Sequence, residues 1–119
     1  MLLSAKKTIM RKLKFPEVFI EVKLDRKLNT LELKRVKEGS QPNHMDDKWV
    51  IYFQEPWLYF HRLLTGNCIY KIHIDCQGSN CKANKAFVNG DSAQYNFENE
   101  HEAEYVLEIF DLFLNAKIR

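Results

Sequence analysis

Apolar and polar residues alternate over residues 17–24. Val18, Ile20, Val22 and Leu24 share one face, and Glu21 and Lys23 lie on the other, the period of a half-buried strand. Residues 25–29 read as a connection. Residues 30–36, with Leu31 and Leu33 on one face, read as a second strand closing a hairpin, although Leu28, Leu31 and Arg35 also suit a helical turn. A polar loop, EGSQPNHMDD, follows. Residues 48–54 (KWVIYFQ) are apolar on both faces, which predicts a central strand covered on both sides. Glu55-Pro56 turns the chain into a strand at 57–64, and Thr65-Gly66-Asn67 connects that to a strand at 68–75. After the loop CQGSNCK come a short strand at 84–89, a turn at Gly90-Asp91 and a segment at 93–97 that pairs back.

From Asn99 the period changes. Ala103, Val106, Leu107, Phe110, Phe113 and Leu114 follow the i, i+3, i+4, i+7 spacing of a core-facing helix. Asn99 with Glu102 resembles a capping box, and acids at the start with Lys117 and Arg119 at the end match the helix dipole. Strands in series before one amphipathic helix predict an α+β domain. Its antiparallel sheet has about five to seven strands, and the C-terminal helix packs on one face.

At 119 residues the chain fits one domain. The net charge of +2 conceals an asymmetry: residues 1–40 carry 11 basic and 5 acidic side chains, and residues 41–119 carry 7 and 11. Residues 1–14 form a basic arm, with Leu2, Ala5, Ile9 and Leu13 near helical spacing and Pro16 closing any helix; residues 15–119 form the domain. The arm's main expected role is solubility or attraction to the acidic body, with phosphate or anionic lipid as the alternative. No apolar run reaches the roughly 20 residues of a membrane span. Three cysteines and an N-terminus lacking a secretory apolar core lead to a cytoplasmic expectation.

Aromatics make up 13% of the chain, and seven of the fifteen fall between Trp49 and Tyr70. The string there, WVIYFQEPWLYFHRLLTGNCIY, resembles the signature of a family of small uncharacterised bacterial proteins, close to W-x-I-Y-x-x-x-x-W-L-Y-x-H-R-x-x-T-G-x-C-I-Y. The likeness covers residues 48–75, a quarter of the chain. The family usually has Ser-Trp where this chain has Leu63-Leu64, so a role carried by those residues is missing here. The resemblance implies a compact single-domain bacterial protein and no particular activity.

A three-residue loop at 65–67, with positive φ at Gly66 or Asn67, would pair His61 with Lys71, Tyr59 with His73 and Trp57 with Asp75 on one face. Leu64 with Cys68, Arg62 with Tyr70, Phe60 with Ile72 and Leu58 with Ile74 fall on the other. The candidate ligand-binding residues are Trp57, Tyr59, His61, Arg62, Lys71, His73 and Asp75. Their blander reading is an ordinary solvent-facing sheet surface. Arg62 on the apolar face needs a carboxylate, a stacking ring such as Tyr70, or a bound anion.

His73, Cys76 and Cys81 are a weak metal set, with His61 or Cys68 as a distant fourth ligand; free thiols or a disulfide across the Gly78 turn fit the spacing better. No P-loop, G-x-G-x-x-G, G-x-S-x-G or H-E-x-x-H is present, and no cofactor is expected. The leading expectation is a binding or accessory module that recognises a protein or small ligand through the aromatic His–Arg hairpin. The alternatives are an enzyme acting on an anionic substrate, with His61 as acid/base, Arg62 as clamp and His73-Asp75 in support, and a nucleic-acid binder using the basic arm. A homodimer remains open.

Overall fold

In the computed structural model, which describes residues 13–40, 48–96 and 101–115, the first strand, β1 (Phe19–Leu28), continues past the predicted end at Leu24. An irregularity of register between Lys23 and Arg26 carries it through the expected connection and returns Leu28 to the buried face.

The next segment corrects the predicted hairpin. Residues 30–36 belong to a helix, α1 (Thr30–Glu38), because Asn29 starts it with a capping box. The Glu32 backbone N–H donates to Asn29 Oδ1 (2.8 Å), and the Asn29 N–H donates to Glu32 Oε1 (2.9 Å). The Leu31–Leu33 alternation misleads: Leu31 is 77% exposed, and Val36 is the residue that α1 buries.

Gly39 ends α1 at φ 72°, with a position for Cβ only 2.6 Å from the Ile51 carbonyl oxygen, so only glycine fits. Ser40 then exchanges both backbone hydrogen bonds with Ile51 (2.8 and 3.2 Å). Ile51 lies in β2 (Trp49–Gln54), which is the sheet's edge and not its centre. Its two-sided apolar character is explained by α1 packing on it, by Ser40 closing its outer edge, and by Val50 lying buried opposite His61.

The remaining strands are β3 (Trp57–Arg62), β4 (Cys68–Gln77) and β5 (Asn80–Asn89), and the helix α2 (Glu102–Leu114) follows. The five antiparallel strands run in the order β1-β5-β4-β3-β2, which is the expected α+β architecture. The Glu55–Pro56 peptide between β2 and β3 is cis. Residues 93–96 form no strand: a turn occupies this stretch, and Asn89 Nδ2 reaches Gln94 Oε1 (2.8 Å) to hold it. Phe97, Asn99, Lys117 and Arg119 lie outside the described residues, as does the arm up to residue 12.

Both helices lie on one face. Val36, Val106, Phe110 and Phe113 pack against Leu24, Leu58, Phe60, Ile72 and Val88 of the sheet. Arg26 fastens this layer, with Nη2 2.8 Å from Glu32 of α1 and Nε 3.0 Å from Asp111 of α2. Arg35 Nε donates to the Phe113 carbonyl (3.2 Å). Among the described residues no helix covers the other face.

Candidate functional site

Strand register builds two transverse rows on the helix-free face. One row is Glu21, Phe87, Lys71, Tyr59 and Tyr52; the next is Lys23, Lys85, His73, Trp57 and Gln54. The observed β3–β4 pairs are Trp57 with His73 and Tyr59 with Lys71, two residues away from the expected register. The loop is longer than predicted: Arg62 accepts from Gly66 N–H (2.8 Å) and donates to the Asn67 carbonyl (2.9 Å), so residues 63–67 all lie in the connection. Gly66 has the expected positive φ, 82°. A slip of two keeps every side chain on its face, so Trp57, Tyr59, Lys71 and His73 still meet. Asp75 does not join Trp57; it pairs with Lys82 beyond the end of β3.

The rings on this face touch in series. Phe19 stacks on Phe87 with centroids 4.5 Å apart, Phe87 lies 5.0 Å from Trp57, and Trp57 meets the edge of His73 at 5.0 Å. Tyr52 stacks on Tyr59 at 5.0 Å. The Lys71 ammonium sits 4.5 Å from the Trp57 ring, 5.0 Å from Phe15 and 5.4 Å from Phe87, and that of Lys85 lies 5.6 Å from Phe87. His73 Nδ1 donates to Asn84 Oδ1 (2.8 Å), where β5 carries one extra residue. Phe15, Phe19, Tyr52, Lys85 and Phe87 were absent from the expected site. The outward placement of Phe19 was implied by its neighbours Ile20 and Val22, whereas Phe87 becomes a neighbour of Trp57 only through non-local pairing.

His61 and Arg62 do not form one site. They point to opposite faces, and each has an internal role. His61 is 1% exposed; its Nδ1 donates to the Gly66 carbonyl (2.9 Å), leaving Nε2 to accept from the Tyr52 hydroxyl (3.3 Å). Cys68 is its direct partner, because the β3–β4 irregularity between Phe60 and His61 turns Cys68 away from the predicted apolar face. Burial pushes the Cys68 thiol up to about 12 and the Tyr52 hydroxyl up to about 12, and raises Tyr59 as well. Cys68 is therefore a thiol at neutral pH, unsuited to nucleophilic attack. Arg62 lies on the helix side with its guanidinium 4.6 Å over the Trp49 ring. Of the three expected explanations for Arg62 a stacking ring holds, supplied by Trp49 and not Tyr70.

Tyr70 belongs to a buried network that sequence reasoning missed. Its hydroxyl lies 2.9 Å from that of Tyr95, which donates to the Glu102 carboxylate (3.1 Å). Glu102 is 1% exposed at the start of α2 and is a buried acceptor there; Asn99, its expected capping partner, lies outside the described residues. Burial raises both tyrosines.

At the β4–β5 tip, Cys76 and Cys81 stand opposite each other and form a disulfide. That bond removes both thiolates from the weak metal set with His73. Among the described residues no cluster of three or more His, Cys, Asp or Glu side chains is arranged to hold a metal. Two open grooves of about 470 Å³ flank the tip, one bordered by Lys27, Lys82 and Asp75, the other by Phe53, Pro56 and His73.

Among known proteins, no family model, no curated protein and no solved structure matches this chain.

Proposed function

We propose that the domain is a binding module that takes its partner on the helix-free face of the sheet, with Trp57, Tyr59, Lys71 and His73 as the centre of the contact surface. The observation that carries this reading is the band of touching rings with lysine ammoniums seated among them, on the face that no described helix covers. A sheet face left only for solvent is favoured to carry short polar and charged side chains; rings that remain part-exposed, such as Phe19 at 41%, suit a contact surface better. The resemblance of residues 48–75 to a bacterial family supports a bacterial source.

The reading is tested by NMR of the Trp57 indole N–H during titration with a panel of planar, anionic and peptide fragments. Binding at this face moves that resonance, and Tyr59→Ala weakens the response. A panel that leaves the Trp57 signal unmoved, while the protein stays folded, removes the reading.

A further inference from the structure

The second row of the face places Lys23 directly opposite Lys85 across the β1–β5 pair. Like charges facing each other at such a position destabilise a sheet, and among the described residues neither lysine has an ion-pair partner. The neighbouring row adds Lys71, and the two rows together hold one carboxylate, Glu21. The surface is thus cationic as well as aromatic. In the sequence before it, residues 1–16 contain Lys6, Lys7, Arg11, Lys12 and Lys14 and no acid. The described end of that segment meets the domain here, where the Leu13 N–H donates to the Gly66 carbonyl (3.0 Å) and the Phe15 ring lies over Lys71.

We infer that the face binds single-stranded nucleic acid, with bases stacking on Phe19, Phe87, Trp57 and Tyr59 and phosphates meeting Lys23, Lys71 and Lys85. The inference rests on the binding-module reading and names its partner. Unstacked bases offer π-faces to rings of any neighbouring sequence, and the backbone offers regularly spaced negative charge, which is the combination these rows complement. An acidic protein would complement the lysines but offers no regular series of planar faces to stack along the rings, as successive bases do. A small ring-bearing ligand calls for an enclosing cavity, whereas this band is open and crosses all five strands.

The test is fluorescence anisotropy of a labelled 12-nucleotide oligothymidylate with the full chain between 50 and 300 mM salt. A duplex of the same length and polyglutamate serve as competitors. The single strand should bind, with a slope of log affinity on log salt near −2 for three phosphate contacts. Trp57→Ala should weaken binding about 5- to 150-fold, and Lys23→Gln with Lys85→Gln should flatten the slope by about 1.4. The double lysine variant keeps both aliphatic stems and relieves a like-charge pair, with Lys23 exposed and Lys85 half-buried, so it reports even where Trp57→Ala unfolds. No binding at 50 mM salt overturns the inference, and so does competition by polyglutamate or duplex equal to the single strand. If either happens while fragments still move the Trp57 resonance, only the nucleic-acid assignment falls; if fragments also fail, the parent reading falls with it.

Discussion

The guanidinium of Arg62 lies 4.6 Å over the indole of Trp49, its direct cross-strand partner. The two residues share one interaction but unequal burial. Trp49 is 8% exposed and packs in the core, so Trp49→Ala should cost about 3–5 kcal/mol. Arg62→Met keeps the packed stem and loses only the cation over the ring, a cost of about 0.5–2 kcal/mol. A double-mutant cycle in urea should return a coupling in that lower range. A coupling near zero would mean the stack contributes nothing.

Acid stability should depend on Arg26. Its hydrogen bond holds the Glu32 carboxyl below the ordinary value of 4.5, against an opposing effect of partial burial. Because the folded value is the lower one, this stabilisation is complete above about pH 4.5 and is lost as pH falls through the depressed value. Arg26→Met should remove about 1 kcal/mol at pH 7, a modest amount because the pair is partly exposed, and progressively less as pH falls below 4.5. Unfolding free energies at pH 3, 4, 5 and 7 for both proteins check the convergence.

Gly39→Ala should destabilise by about 2 kcal/mol or more. The substitution meets a positive φ of 72° and a backbone oxygen 2.6 Å away that no side-chain rotation relieves. Faster hydrogen exchange at the Ile51 amide, which donates to Ser40, would locate the damage at the β2 edge.

The disulfide should be dispensable for folding. Cys76 and Cys81 are five positions apart and already aligned by strand pairing, so the bond closes a very short loop. Replacing both with Ser should lower stability by at most about 2 kcal/mol and leave the far-ultraviolet circular dichroism unchanged. Global unfolding of the double variant would contradict this.

What the sequence made legible was whatever depends on local period. The β1 alternation, the α2 stripe and the split of Trp57, Tyr59, Lys71 and His73 from Leu58, Phe60 and Ile72 each rest on side-chain direction, and a register slip of two preserves direction. Features set by a single hydrogen bond or a single extra residue were not legible. The capping box at Asn29–Glu32 outweighs the Leu31–Leu33 alternation, and one irregularity after Phe60 moves Cys68 to the side of His61. His61 and Arg62 are adjacent in sequence, and adjacency on a strand is what sends them to opposite faces. The edge position of β2 was hidden because Ser40 and α1 give an outer strand the burial of an inner one.

The closure of β2 by Ser40 bears on how copies of this protein meet. A bare strand edge invites another chain to add to the sheet, which is how many aggregates begin. Here one margin already has Ser40 bonded to Ile51, and the other, β1, carries Glu21, Lys23, Asp25 and Lys27, all exposed and alternating in sign. Both borders thus discourage growth by strand addition, so concentrated solutions should stay free of cross-β fibrils. Any self-association is directed to the broad faces, where on the helix-free side it would compete with the proposed partner for the same rings.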